Sequence, residues 1–152
     1  MNPLESLAAI AGSRAGSNTL QDPFSGQPEE TPSELTITPV LDGRFVRVDY
    51  TWAYRGAPQS GSILLGFEPK TAAVSGYWID SWHMGHAALT CPGTATADGG
   101  IVLRGSYPAP PGPDWGWRIT VATAGDAIRI THTNLEPDGS ESPAVDGVYP
   151  RG

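Results

Sequence analysis

One cysteine, Cys91, stands alone in a chain of 152 residues, so no disulfide can form within it. It sits beside Pro92 with no basic neighbour to lower its pKa, which favours an inert thiol over a nucleophile. Lysine is nearly absent: Lys70 is the only one, and the other basic residues are arginine, a compositional bias. The net charge is −7, which disfavours nucleic acid and anionic membranes as partners, because both attract basic surfaces. No apolar run reaches the roughly 18 residues of a membrane-spanning helix. No basic segment followed by an apolar one opens the chain, so no signal peptide and a cytoplasmic location are expected. Phosphate-binding glycine loops are missing, and so is a G-x-S-x-G elbow leading into a helix.

What is abundant is turn chemistry. The 19 Gly and 15 Pro suit many short strands joined by tight turns. After Gly12 the apolar periodicity is two, the spacing of a strand with distinct faces. Segments 14–20, 33–41, 44–54, 60–68, 72–83, 86–96, 100–107, 115–123, 126–135 and 141–149 read as strands. Signals such as Asp42-Gly43, Arg55-Gly56, Glu68-Pro69, Gly125-Asp126 and Asp138-Gly139 separate them. About ten consecutive antiparallel strands rarely stay an open sheet, and closure into an up-and-down barrel removes the exposed edges. A two-sheet sandwich is the structural alternative.

Asn2-Pro3-Leu4-Glu5 reads as a helix start, with Asn2 as N-cap and Pro3 in the first turn. Leu4, Leu7, Ala8 and Ala11 share a face and Gly12 ends the pattern, so residues 1–12 predict a short helix capping one end of a barrel over 13–150. The whole, 1–152, reads as one domain, a monomer or weak homodimer, long enough to bury roughly two-thirds of its unfolded surface. Two connections read as long: Gln21 to Pro32, and Pro108 to Asp114. Either could be a lid or a rigid proline-rich cover.

The stretch Gly76–Gly85, GYWIDSWHMG, gathers two tryptophans, a carboxylate and a histidine. As a strand it splits into a Trp78, Asp80, Trp82 face and a Tyr77, Ile79, Ser81, His83 face. A bulge near Met84-Gly85 would re-aim His83. In 115–123, Trp115 and Trp117 share the apolar face with Ile119 and Val121, while Arg118 joins Thr120 opposite. In 44–54, Tyr50 and Trp52 share a face with Val46 and Val48. Apolar walls with a few polar anchors are what a small-molecule site needs. The structural alternative pairs Asp80 with an arginine across strands.

His83 is the best-placed histidine for a ligand or a general base, because imidazole titrates near neutrality. His86 lies in the next turn, where exposure is expected. His132 alternates with Ile128 and Ile130, so it points inward. His83-x-x-His86 has no Cys or third His nearby, too little for zinc, and no metal is expected.

Leu41–Trp52, Trp78–Met84 and Gly105–Arg118 together resemble the bacterial DUF1579 proteins, and the resemblance runs from about Leu4 to Tyr149. It implies a barrel of the group that includes lipocalins, fatty-acid-binding proteins and nitrobindins, and no established activity. The matching positions are Asp49, Tyr50, Trp52, Trp78, Asp80, Ser81, Trp82, His83, Trp115, Trp117 and Arg118. A Gly-x-Trp motif common on the first strand of such barrels is missing here, where the chain reads Gly12–Asn18 without tryptophan.

These readings predict a barrel that binds a small apolar or aromatic molecule, more a binder than an enzyme. The expected contacts are Tyr50, Trp52, Trp78, Asp80, Trp82, His83, Trp115, Trp117 and Arg118. The enzyme alternative is an isomerase, cyclase or hydrolase with His83 as base and Asp80 as acid or orienting group. It requires both side chains to converge in one cavity. No cofactor is expected; the nitrobindin-like alternative is haem, with His83 or His132 as axial ligand.

Overall fold

Ten antiparallel strands close on themselves, each hydrogen-bonded to its chain neighbours and the last returning to the first. A computed structural model describes residues 2–151. The strands are β1 (Gly12–Gln21), β2 (Pro28–Val40), β3 (Phe45–Tyr54), β4 (Ala57–Glu68), β5 (Ala73–Asp80), β6 (Leu89–Ala95), β7 (Ile101–Tyr107), β8 (Trp115–Ala124), β9 (Ala127–Leu135) and β10 (Glu141–Tyr149). The predicted all-β barrel is therefore the fold, and closure pairs the first strand with the last. Among the described residues no helix is long and apolar enough to cross a membrane.

Side-chain alternation explains the core. Val46, Val48, Tyr50 and Trp52 of β3 point inward and are buried, as are Trp117, Ile119 and Val121 of β8. Glycines make room where rings cross the sheet. Gly61 pairs with Tyr50 across β3 and β4, and a Cβ there would sit 2.2 Å from the Tyr50 hydroxyl. The ring lies where that side chain would be.

One helix, α1 (Pro3–Ala8), closes the end where β1 begins. Asn2 caps it by accepting from Leu4 N at 2.9 Å. It is shorter than the predicted span, and Gly12 opens β1 instead of following a helix. Leu4 and Leu7 are buried in the core, so aliphatic side chains fill the end that lacks a first-strand tryptophan.

The predicted long connection from Gln21 to Pro32 is corrected. Pro28 and Pro32 lie inside β2, and β1 pairs with β2 continuously from Gly12↔Ile37 to Gln21↔Pro28. Hydrogen-bond parity explains how proline is accommodated. Glu34 N points away from β1 and donates to Thr51 Oγ1 at 3.0 Å. Pro28 and Pro32 share that parity, so their missing N–H groups fall on the side where β2 has no backbone ladder with β3. Only residues 22–27 remain as the loop.

The predicted strand 72–83 is also corrected: β5 ends at Asp80, and β6 begins at Leu89 instead of residue 86. Asp80 Oδ1 accepts from Trp82 N and His83 N, both at 2.8 Å, and Asp80 O accepts from Met84 N and Gly85 N. A side chain that captures the next backbone amides ends a strand in a turn. Gly85 supplies the left-handed residue, at φ 60°.

Candidate functional site

The end opposite α1 is framed by the Asp22–Gln27 loop, the Ser81–Ala88 turn and the start of β8. Asp80 is its organising residue. It is 3% exposed, and Oδ2 accepts from Tyr50 Oη at 2.6 Å and Trp52 Nε1 at 3.3 Å. Tyr50 Oη in turn accepts from Trp78 Nε1 at 2.9 Å. Burial and the neighbouring Asp80 charge push the Tyr50 pKa well above its ordinary value, so the phenol stays protonated and donating. The expected arginine partner for Asp80 is not there: tyrosine, tryptophan and backbone donors satisfy the carboxylate instead.

The Asp80 turn decides where His83 goes. Simple alternation sets His83 with Tyr77 and Ile79 on the outside; the structure turns its ring into the mouth. There it stacks on Trp52 at 5.5 Å and 29°, and meets Trp82 edge-on at 4.8 Å and 89°. Trp78 and Trp117, themselves stacked at 5.2 Å and 11°, lie 5.6 Å from it on the inner side. His83 Nε2 is buried without a hydrogen-bond partner, alone in this among the described residues. Burial lowers the His83 pKa, and the Asp80 charge offsets part of that.

Two cavities adjoin this ring. One, of ≈ 210 Å³, is walled by Trp78, His83, Met84, Leu89, Tyr107 and Trp117. The other, of ≈ 590 Å³, runs from Trp82, His83 and Trp117 under Asp22 and Pro23 to Asn134 and Ser142. His83 and Trp117 line both. The Asp22–Gln27 loop thus covers the mouth, whereas Pro108–Asp114 lines neither cavity. Asp22 anchors that loop by accepting from Phe24 N, Tyr54 Oη and Arg55 Nη2. Sequence reading passed over Asp22, although an Asp-Pro pair at a strand end is a turn signal.

Deeper in, the barrel is filled. His132 is 3% exposed and accepts from Trp117 Nε1 at 3.0 Å through Nδ1. Burial, reinforced by His83, pushes its pKa down to about 3, so it is neutral at physiological pH. Beside it a void of ≈ 10 Å³ remains between Asn18, Tyr50 and Tyr149, room for about one water.

The predicted site residues therefore divide. Trp78, Trp82, His83 and Trp117 border the cavities. Tyr50, Trp52 and Asp80 stand behind them as a hydrogen-bonded support. Trp115 is half-buried at the start of β8, opposite Tyr107, and lines neither cavity. Arg118 points outward and pairs with Glu141, so it does not reach the site. His86 is exposed.

The family model of DUF1579, a protein of unknown function, matches residues 3–151. No curated protein matches the chain in sequence. The crystal structure of Rv2717c from M. tuberculosis is similar, with a TM-score of 0.65 and 18% identity over 100% of this chain and 98% of that one. At that identity the likeness is one of fold.

Proposed function

The chain belongs to the DUF1579 family, and on that premise we propose that its barrel binds a small, mostly apolar molecule at the open end. The observation that carries this reading is His83 Nε2, a buried nitrogen with no partner, on a ring that borders two cavities. Leaving such a group unpaired costs about 1–3 kcal/mol, which a ligand hydrogen bond would return. Aromatic walls and one polar anchor are the composition of a small-molecule pocket.

The enzyme reading has less support. Asp80 accepts four hydrogen bonds from the protein and makes none with the His83 imidazole. It acts on His83 through the backbone, as a positioning residue. Haem is less well supported too. His132 Nδ1 is engaged and the void beside it is small. His83 keeps a free nitrogen, but no Lys or Arg lines either of the cavities it borders to meet propionates.

Native mass spectrometry of the purified protein, with tryptophan fluorescence against a panel of lipophilic and aromatic metabolites, tests the proposal. Saturable quenching is expected for some members and weaker binding by His83→Ala. No saturable response to any of them would overturn it. A Soret band after expression with added haem would favour the haem reading instead.

A further inference from the structure

The open end differs from an ordinary apolar pocket in its charge. Neither cavity is lined by Lys or Arg. The one carboxylate at the rim, Asp22, already has Arg55 Nη2 at 3.4 Å and the Tyr54 hydroxyl at 3.1 Å. The remaining polar rim consists of uncharged groups, among them Gln21, Asn134 and Ser142. A ligand carboxylate entering here would lose its hydration and meet no cation, which is the costly case for a buried charge.

Size and shape narrow the class further. An apolar cavity of roughly 150 Å³ takes benzene. The inner cavity, at ≈ 210 Å³, suits one substituted ring or two fused rings. Its walls include the stacked indoles of Trp78 and Trp117, whose flat faces and edges favour an aromatic guest. Among the described residues the one buried side-chain polar atom left over is His83 Nε2. A hydroxyl serves either tautomer of that imidazole, donating to the bare nitrogen or accepting from N–H.

We infer that the ligand of this site is a neutral aromatic molecule of one or two rings bearing a hydroxyl or N–H group, held by His83, and that carboxylate-bearing molecules, fatty acids among them, are excluded. This rests on the reading that the open end is a binding site, and deepens it to a chemical class.

The discriminating experiment is calorimetric titration of the full chain at pH 7.5 with three molecules of one shape: 2-naphthol, naphthalene and 2-naphthoate. Naphthol is expected to bind about tenfold more tightly than naphthalene, the worth of one hydrogen bond. Naphthoate is expected at least about a hundredfold weaker than naphthol, because its charge is desolvated unpaired. His83→Phe should erase the naphthol preference while keeping naphthalene. His83→Gln, which retains an acceptor, should restore part of it, and it is the variant to read should the phenylalanine form not fold. Naphthoate binding as tightly as naphthol would overturn the charge rule while leaving the binding site standing. An unchanged naphthol preference in both variants would remove His83 from it. No binding by any of the three, in a folded protein, would overturn the binding site and the ligand class together.

Discussion

The two ends of this barrel share ten strands and differ in what fills them. At the α1 end, Leu4 and Leu7 close the barrel with hydrocarbon. At the other end, the filling is tryptophan, histidine and a carboxylate network, and one nitrogen there is left without a partner. Hydrocarbon closure contributes stability through area removed from water and asks for nothing else. An aromatic and polar end costs more to assemble, because each buried polar atom needs its own partner. The difference separates the two ends: the aliphatic one is closed by hydrocarbon, and the aromatic one is arranged around two cavities.

The sharpest way to break this comparison is at Asp80. Asp80→Asn sets amide hydrogens against the Tyr50 and Trp52 donors, and a loss of about 3–5 kcal/mol is expected in urea unfolding. It should also weaken aromatic-ligand binding, because His83 loses its positioning turn. A smaller loss than at the α1 end would reverse the contrast drawn above. Next in size, Leu7→Ala is expected to cost about 3 kcal/mol by the same measurement while leaving 2-naphthol affinity unchanged, since α1 lies at the far end. Coupled losses of stability and affinity would show that the ends are not independent.

Mild acid tests the buried histidines. His132 is held neutral in the fold, with its pKa near 3, against about 6.5 in the unfolded chain. Below pH 6.5 the unfolded state takes up a proton that the folded state refuses, so stability falls as pH falls. The loss continues until about pH 3 and reaches about 2 kcal/mol at pH 5. The His83 pKa is lowered in the same direction and adds to the slope. Thermal melts from pH 7.5 to 5 should show a shallower decline for His132→Gln than for the parent; equal slopes would mean that this histidine charges within the fold. The smallest effect is expected outside the barrel. Arg118→Ala, which breaks a surface pair with Glu141, should change stability by no more than about 0.5 kcal/mol and leave ligand affinity alone. A clear loss of affinity would return Arg118 to the site and undo the argument from its missing cations.

Much of the architecture was legible because strand signals are local. Alternation groups Val46, Val48, Tyr50 and Trp52 on one face of β3 without any knowledge of its partners, and that face is the buried one. The same rule correctly turns His132 and Trp117 inward and Arg118 outward. It failed where a side chain interrupts the pleat. Asp80 takes the amides of Trp82 and His83, the strand stops, and the next ring follows the turn. It failed differently at Pro28 and Pro32, which look like loop residues until the side on which β2 lacks a neighbour is known.

Periodicity and turn residues alone specified ten strands, the division of strands into two faces and a capped helix, because each of those depends on a few residues in a row. The Tyr50 and Trp52 partners of Asp80, the rings around His83 and a mouth lined by no Lys or Arg were decided only by closure. Trp52, Trp78 and Trp117 come from separate strands, and the pairing register brings them around one histidine. A nitrogen's want of a partner is a property of everything packed around it, and no stretch of chain carries that by itself.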